Sequence, residues 1–553
     1  MEVLIGYVQQ GFSFIVPLII LLGLLIFVHE LGHFLVAKYY GVRVETFSLG
    51  FGKKLFKYKK GDTEYCISLF PLGGYVKMFG DDPTAEVPES EKQFAFNHKP
   101  VGQRIAVVLA GPLMNFFFAI VLFTLISLVG EETIQPTLGD VPTNSQAYTD
   151  GFRSGDKVLK VNDAPVATWE QVQTTVEDNA DKNLNFEVQR FNSEEISKFS
   201  SRAKLAPNKN ILSSEDFVGE IEGLGFASSA TTIGIISEDS AAYKAGLRLG
   251  DQITHVDGKE VLRFKELVSA IQASTNTNIS LKIQPVEEKK EPYSIEISKT
   301  GSSPLELLKS FGIESSDLYV SKVMEDSAAA KAGMKEGDRI VSVNGNTVSS
   351  WQEIVNNIQS YKPEDKPLAI VVTRGGKNES LVVTPELIDQ TTPTGKEKKV
   401  YALGVITAMA IAPPFTFVER TSNPVKAIKN GFVKSVYWTK ATIMSFVRLI
   451  QNKVSAKSIG GPIMIGQLAS KTFEIGISPF MKIMAIISIN LFVLNLLPIP
   501  ILDGGHLVFY TIEAIKGAPL SMRKMEIAQQ VGLVLLLALM VFAFVNDVTR
   551  LLQ

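Results

Sequence analysis

Residues 12–37 read FSFIVPLIILLGLLIFVHELGHFLVA, and this stretch decides what kind of protein the chain is. Phe12–Val28 carries no charge, and a run of this kind is long enough to span a bilayer as a helix. His29-Glu30-Leu31-Gly32-His33 follows where the apolar run ends. On a helix, positions i and i+4 share a face, so His29 and His33 can ligate one metal ion. Glu30 stands beside them and can take a proton from an attacking water. HExxH alone is a weak signal, but ionisable groups inside an apolar span are costly and are usually kept for function. The competing reading is a polar cluster that snorkels at the end of the helix.

A second apolar stretch supplies a partner. Asn495-Leu-Leu-Pro498-Ile-Pro500-Ile-Leu502-Asp503-Gly504-Gly505-His506 places a carboxylate late in the third span. Pro498 and Pro500 remove backbone donors and exclude a regular helix, and irregular backbone at membrane depth is tolerated where it lines a cavity or is buried in protein. Asp503 can then be a third ligand, leaving a fourth position open, as catalytic zinc requires. Its other reading is a helix cap. His506 can share the face of Asp503, as a supporting residue or as a ligand in its place. The remaining histidines, His98 and His255, lie in polar regions, and the single cysteine, Cys66, excludes a Cys-rich zinc site and any intrachain disulfide. Lys+Arg 55 against Asp+Glu 57 gives a net charge of −2, which argues against a nucleic-acid-coating protein; no nucleic-acid partner is expected.

Ile105–Val129 and Val531–Val545 are also uncharged, and Met481–Pro500 carries one Lys near its start. With the first stretch they make four spanning candidates. The first is not read as a signal peptide, since no basic segment precedes it and no small-x-small site follows. Lys and Arg crowd residues 38–104 and recur at Lys516, Arg523 and Lys524, but are absent before the first span and from 130–150, apart from a cationic stretch at Lys453–Lys471. The positive-inside rule then puts 38–104 and 511–526 in the cytoplasm and both termini and 130–478 outside.

The polar region between spans two and three holds a repeat. Gly155-Asp156, Gly250-Asp251 and Gly337-Asp338 each precede a short alternating strand and an Asn/Asp turn. A companion loop recurs as Gly223-Leu-Gly-Phe226, Phe311-Gly312-Ile313 and Leu403-Gly404-Val405. This pattern resembles three PDZ domains with the permuted strand order of bacterial members, the first the most degenerate. PDZ domains capture peptide termini by strand addition; the alternative is that these units act as spacers or steric screens. The 191–222 and 286–310 stretches read as long loops or linkers. Asn423–Ile450 alternates Lys with apolar residues and reads as an amphipathic helix on the outer membrane surface, or else as one packed on the PDZ-like units.

HELGH, Gly111-Pro-Leu-Met-Asn115-Phe in the second span and NLLPIPILDGG together resemble the site-2 protease family of intramembrane zinc metalloproteases. The resemblance covers the four spans, 38–104, 401–480 and the PDZ set, and departs in a third PDZ-like unit where two are usual. It implies Zn²⁺ held by His29, His33 and Asp503, with Glu30 as the general base. It implies that a membrane-associated β-hairpin, through Gly74, Tyr75, Val76 and Lys77, clamps the substrate in extended form, with Asn495, Pro498 and Pro500 as further substrate contacts. Gly111 and Asn115 are read as close helix packing, and Gly460-Gly461-Pro462-Ile463 matches a family motif whose physical role the sequence does not give. The implied substrates are single-span membrane proteins in the bilayer, such as a pre-trimmed anti-sigma factor, and remnant signal peptides. The implied location is a bacterial inner membrane, with the array periplasmic and the active site near the cytoplasmic side.

The expected fold class is therefore a multi-span α-helical membrane protein with about four transmembrane helices, a membrane-associated β-hairpin and tandem α+β PDZ-like domains. The expected division is 1–37 for the first span, 38–104 for the hairpin region and 105–129 for the second span. The PDZ-like units follow at 130–226, 227–315 and 316–408, and the amphipathic region at 409–478. The third span is 479–510, a cytoplasmic loop 511–526, the fourth span 527–546 and a tail 547–553. Two rival functions stay open: a catalytically idle PDZ scaffold, and a metal transporter, which would need a row of ligands across the membrane.

Overall fold

The computed structural model describes all residues except 1, 82–86, 211–212, 214, 288, 300–302, 393–396 and 553. Among the described residues, four helices are long and apolar enough to cross a membrane: Ser13–Tyr39 within α1 (Glu2–Tyr39), α2 (Val101–Val129), α5 (Ile477–Leu496) and α7 (Met522–Leu552). Between them lie the hairpin β1 (Val44–Lys60) and β2 (Thr63–Met78), α3 (Pro424–Ile450), α4 (Pro462–Ile475) and α6 (Asp503–Lys516). The expected third span at 479–510 is divided, because the backbone leaves the helix after Leu496 and resumes at Asp503, as the two prolines require.

Lipid tails are as apolar as leucine, so helices in a bilayer associate by close packing rather than by the hydrophobic effect. Leu21 and Leu25 of α1, Ala119, Leu122 and Phe123 of α2, and Met484, Ala485 and Ile489 of α5 form one buried cluster. Where α1 meets α2 the contact is closer still: a Cβ on Gly32 would lie 2.4 Å from the carbonyl oxygen of Ala110. Helix α3 joins this bundle. Ala427, Gly431 and Ser435 are a buried small-residue stripe, a Cβ on Gly431 would meet Ile120 O at 2.7 Å, and Thr442 Oγ1 donates to Asn490 of α5 at 2.8 Å. Its far end touches the first unit of the polar region between α2 and α3, where Arg448 donates to Asp216. The lysines and apolar groups of its other face led to the expectation of a surface-lying helix; the small residues between them place it against α2 and α5.

The Gly460-Gly461-Pro462-Ile463 motif has a physical role here. Asp547 of α7, 3% exposed, accepts the backbone N–H groups of Gly461, Ile463 and Met464 at 2.9–3.1 Å. It is an N-cap for α4 donated by another helix, and Gly461 is small because a Cβ there would press on the carboxylate at 2.7 Å. Asp547→Ala strands three donors that a side chain now satisfies. We expect it to destabilise the folded chain by at least about 2 kcal/mol, read as a lowered unfolding midpoint in detergent, with a smaller loss for Asp547→Asn.

The polar region folds as three α/β units, each with its own core, drawn from residues between 134 and 226, 233 and 313, and 318 and 405. Each holds a four-stranded antiparallel sheet of the same strand order, and each has its register shift at the same place in the strand after the Gly-Asp pair. The Gly of each pair has φ between +79° and +87°, a conformation that favours glycine. Asp156, Asp251 and Asp338 close the turn by accepting the N–H of Arg153, Arg248 and Lys335. The loop glycines Gly223, Gly312 and Gly404 also have positive φ, and a Cβ on each would lie 2.3–2.4 Å from a serine side chain, Ser145, Ser240 and Ser327 respectively, that caps a short helix.

The expected linkers at 191–222 and 286–310 are not loops. They contain strands Ile196–Arg202, Lys204–Pro207, Phe217–Glu220 and Tyr293–Ser298 and helix Pro304–Phe311, although 211–212, 214, 288 and 300–302 lie outside the described residues. Edge strands with one wet face are polar at every second position, which hid them.

One strand-like segment returns past all three units. Ile411–Ala412 pairs with Ser228–Ser229, Arg263 of the second unit donates to Pro413 O and stacks on Phe415 at 3.5 Å, and Thr416–Glu419 pairs with Glu131–Ile134 directly after α2. The chain therefore leaves the helical bundle and comes back to it through two paired strands.

Candidate metal centre

The first span delivers His29 and His33 to one face of α1, their rings edge to face. Their Nε2 atoms are 3.2 Å apart. Asp503, the first residue of α6, brings Oδ2 to 3.2 Å from His29 Nε2 and Oδ1 to 3.6 Å from His33 Nε2. Two ligands ~2.0–2.1 Å from one zinc ion at a tetrahedral angle stand about 3.3–3.4 Å apart, and the contacts between the two nitrogens and the carboxylate are close to that spacing. The proton count agrees. His33 Nδ1 lies 2.9 Å from Val107 O, a pure acceptor, so that nitrogen carries the ring proton and Nε2 presents its lone pair. Asp503 Oδ2 is buried without a hydrogen-bond donor. A cation held between the two imidazoles and the carboxylate would satisfy that oxygen. Among the described residues this is the one cluster of three or more His, Cys, Asp or Glu side chains that could hold a metal ion.

Glycines make the convergence possible. A Cβ on Gly111 of α2 would sit 2.2 Å from His33 Nε2, so this position leaves room for the imidazole rather than serving helix packing alone. Gly504 and Gly505 let α6 begin hard against the broken segment: added Cβ atoms would meet Leu497 O at 2.1 Å and Pro500 Cα at 2.3 Å. The DGG run thus seats Asp503, a function periodicity could not reveal. Arg104 of α2 and Glu513 of α6 add an ion pair at 2.6 Å that ties the two helices together.

The hairpin reaches the same place. Residues 46–49 pair on one side with Glu64–Ile67 and on the other with Gly74–Lys77, which makes 74–77 an outer strand. Its far side is turned to Glu30: a Cβ on Gly74 would be 3.3 Å from Glu30 Cγ. Tyr75 stacks on Phe51 and Lys77 pairs with Glu45 at 2.8 Å. Asn495 ends α5 half-buried; Pro498 is exposed and Pro500 half-buried on the irregular stretch that leads to Asp503. His506 stands one turn beyond Asp503, beside Phe509 and Tyr510, outside the three-residue group.

A helix-borne His pair, a carboxylate from the head of α6 and a glutamate at their side are the apparatus of a metallopeptidase set among apolar helices. The profile of peptidase family M50 matches residues 17–539. A putative zinc metalloprotease of Neisseria meningitidis serogroup A is 32% identical over 98% of this chain and 99% of its own length. The regulator of sigma-E protease RseP of Escherichia coli K12 is 31% identical over 96% of this chain and 98% of its own, and the regulator of sigma E protease of Salmonella typhimurium LT2 is equally similar. The chain belongs to peptidase family M50, the site-2 proteases, and is a zinc metalloprotease.

Proposed function

We propose that the chain is an intramembrane endopeptidase in which His29, His33 and Asp503 hold the zinc ion and Glu30 is the general base. The observation that carries this is the convergence of His29 Nε2, His33 Nε2 and the Asp503 carboxylate at 3.2–3.6 Å. Bound zinc supplies Lewis-acid polarisation of the attacking water and the scissile carbonyl. Glu30 takes the proton of that water and passes it to the leaving amine. A transmembrane helix hides its peptide bonds within its own hydrogen bonds, so a substrate must be drawn out before it is cut. Strand 74–77 offers an edge on which an extended segment can pair beside Glu30, and Asn495, Pro498 and Pro500 border the path to Asp503.

The substrates we assign are membrane-embedded protein segments. By analogy with the named sigma-E regulators, they include a pre-trimmed anti-sigma factor in an envelope stress response, and remnant signal peptides. The protein sits in a bacterial inner membrane with both termini and the PDZ-like array periplasmic and the site toward the cytoplasm, in keeping with its lysine distribution. Zinc content measured together with cleavage of a model transmembrane substrate tests the reading. Bound zinc with site-specific cleavage is expected; zinc without cleavage would favour a transporter, and neither zinc nor cleavage an idle scaffold.

The array acts in this reading as a size screen. Three units bound to one another by the return segment form an obstruction beside the bundle, whereas peptide capture needs only one unit. Removing 135–415 and joining Ile134 to Thr416 by a short turn is expected to let the enzyme cut substrates that keep a bulky exported domain. The measurement compares matched trimmed and untrimmed substrates at equal expression. No gain on the untrimmed substrate with a clear loss on the trimmed one would assign the array to recruitment instead.

A further inference from the structure

Three residues of α2 one turn apart, Val107, Gly111 and Asn115, face the two histidines. Val107 O accepts a hydrogen bond from His33 Nδ1–H, and Gly111 clears space for the His33 ring. Asn115 is fully buried, and its side-chain amide lies against the other histidine, with Nδ2 3.3 Å from His29 Nδ1. In that orientation Asn115 Oδ1 is buried with no partner. A donor at Nδ1 would also force the His29 proton onto Nε2, the atom that faces Asp503 and His33, where it occupies the direction a metal ion needs. Half a turn of the amide about Cβ–Cγ exchanges its two ends. Oδ1 then accepts from Nδ1–H at the same separation, and Nε2 is left with its lone pair toward the shared centre. Ser488 of α5 holds the Asn115 backbone in place, donating to its carbonyl at 2.8 Å.

We propose that Asn115 is a positioning residue for the metal site: its side-chain oxygen holds the His29 ring proton on Nδ1, as Val107 O does for His33, so that both Nε2 atoms are presented as ligands. The inference rests on the ligand reading given above. A residue that fixes a ligand's tautomer and ring orientation acts on metal affinity itself, with typical losses of ~10–100-fold when it is removed.

The test is zinc affinity of the purified full chain in detergent, by competition with a chelator. Asn115→Leu, close in volume but without an acceptor, is expected to bind zinc ~10–100-fold more weakly. Asn115→Asp, whose carboxylate accepts the same proton, is expected to stay within a few-fold of the parent. If Asn115→Leu does not accumulate, Asn115→Ala against Asn115→Asp decides the same question. Zinc held by the Leu variant as tightly as by the parent overturns the proposal, and so does equal weakening by Leu and Asp, which would mean packing alone. His29→Ala separates the two levels. If it loses zinc while Asn115→Leu keeps it, only the positioning role falls; if it keeps zinc as tightly as the parent, the ligand reading falls and this inference with it.

Discussion

Glu30→Gln is expected to leave the zinc content of the purified protein unchanged and to slow cleavage of a transmembrane substrate by at least ~10²-fold, the low end of what a general base contributes. The substitution keeps the shape of the side chain and its place beside strand 74–77, and it removes the one property the mechanism needs, a carboxylate that can take a proton. Glu30 is outside the group formed by His29, His33 and Asp503, so the metal has no reason to leave. Zinc per chain by elemental analysis and single-turnover cleavage in detergent are the two readouts. Full cleavage by a zinc-loaded Glu30→Gln enzyme would remove Glu30 from its assigned role, and zinc loss would make it a ligand or a structural support.

Asp503→Ala is expected to reduce zinc occupancy as well as activity, and by more than the ~10–100-fold typical of an outer-shell loss. Two neutral imidazoles supply no charge to offset a dication in an apolar surround, and they leave only one edge of the coordination sphere filled. His506→Ala is the informative companion. Its ring lies among Phe509 and Tyr510, so zinc should be retained. If Asp503→Ala holds one zinc as tightly as the parent while His506→Ala loses it, the third ligand has been chosen wrongly.

The residues of the candidate site stood out because each breaks a local rule: two imidazoles and two carboxylates interrupt apolar stretches in which ionisable groups are costly. The spans and the three repeats were legible for the complementary reason, that composition and periodicity repeat. What escaped the sequence depends on contacts between residues far apart in the chain. Gly111 looks like any small residue of a packed helix until the His33 ring is found where its side chain would be. The Gly460-Gly461-Pro462 motif means nothing until Asp547 is seen to cap the helix it begins. Asn423–Ile450 has lysines enough to suggest a surface helix, and only its partner α2 reveals the stripe of Ala427, Gly431 and Ser435 as a packing face. Strands such as Tyr293–Ser298 are polar because one side is wet, and a polar run reads as a loop.

The paired strands Glu131–Ile134 and Thr416–Glu419 bear on how such a protein can change over time. Everything between them hangs from the bundle like beads on a closed necklace whose clasp is this ladder, steadied by the Arg448 contact to Asp216 of the first bead. Lengthening a loop costs little once its ends are fixed, about 0.6 kcal/mol for each doubling. A third bead can therefore be threaded without disturbing the clasp or the catalytic helices beneath it. Duplication of a module is tolerated at this point of the chain because the geometry of the membrane part does not register how much hangs there, which makes the number of units a variable on which selection can act independently of the chemistry.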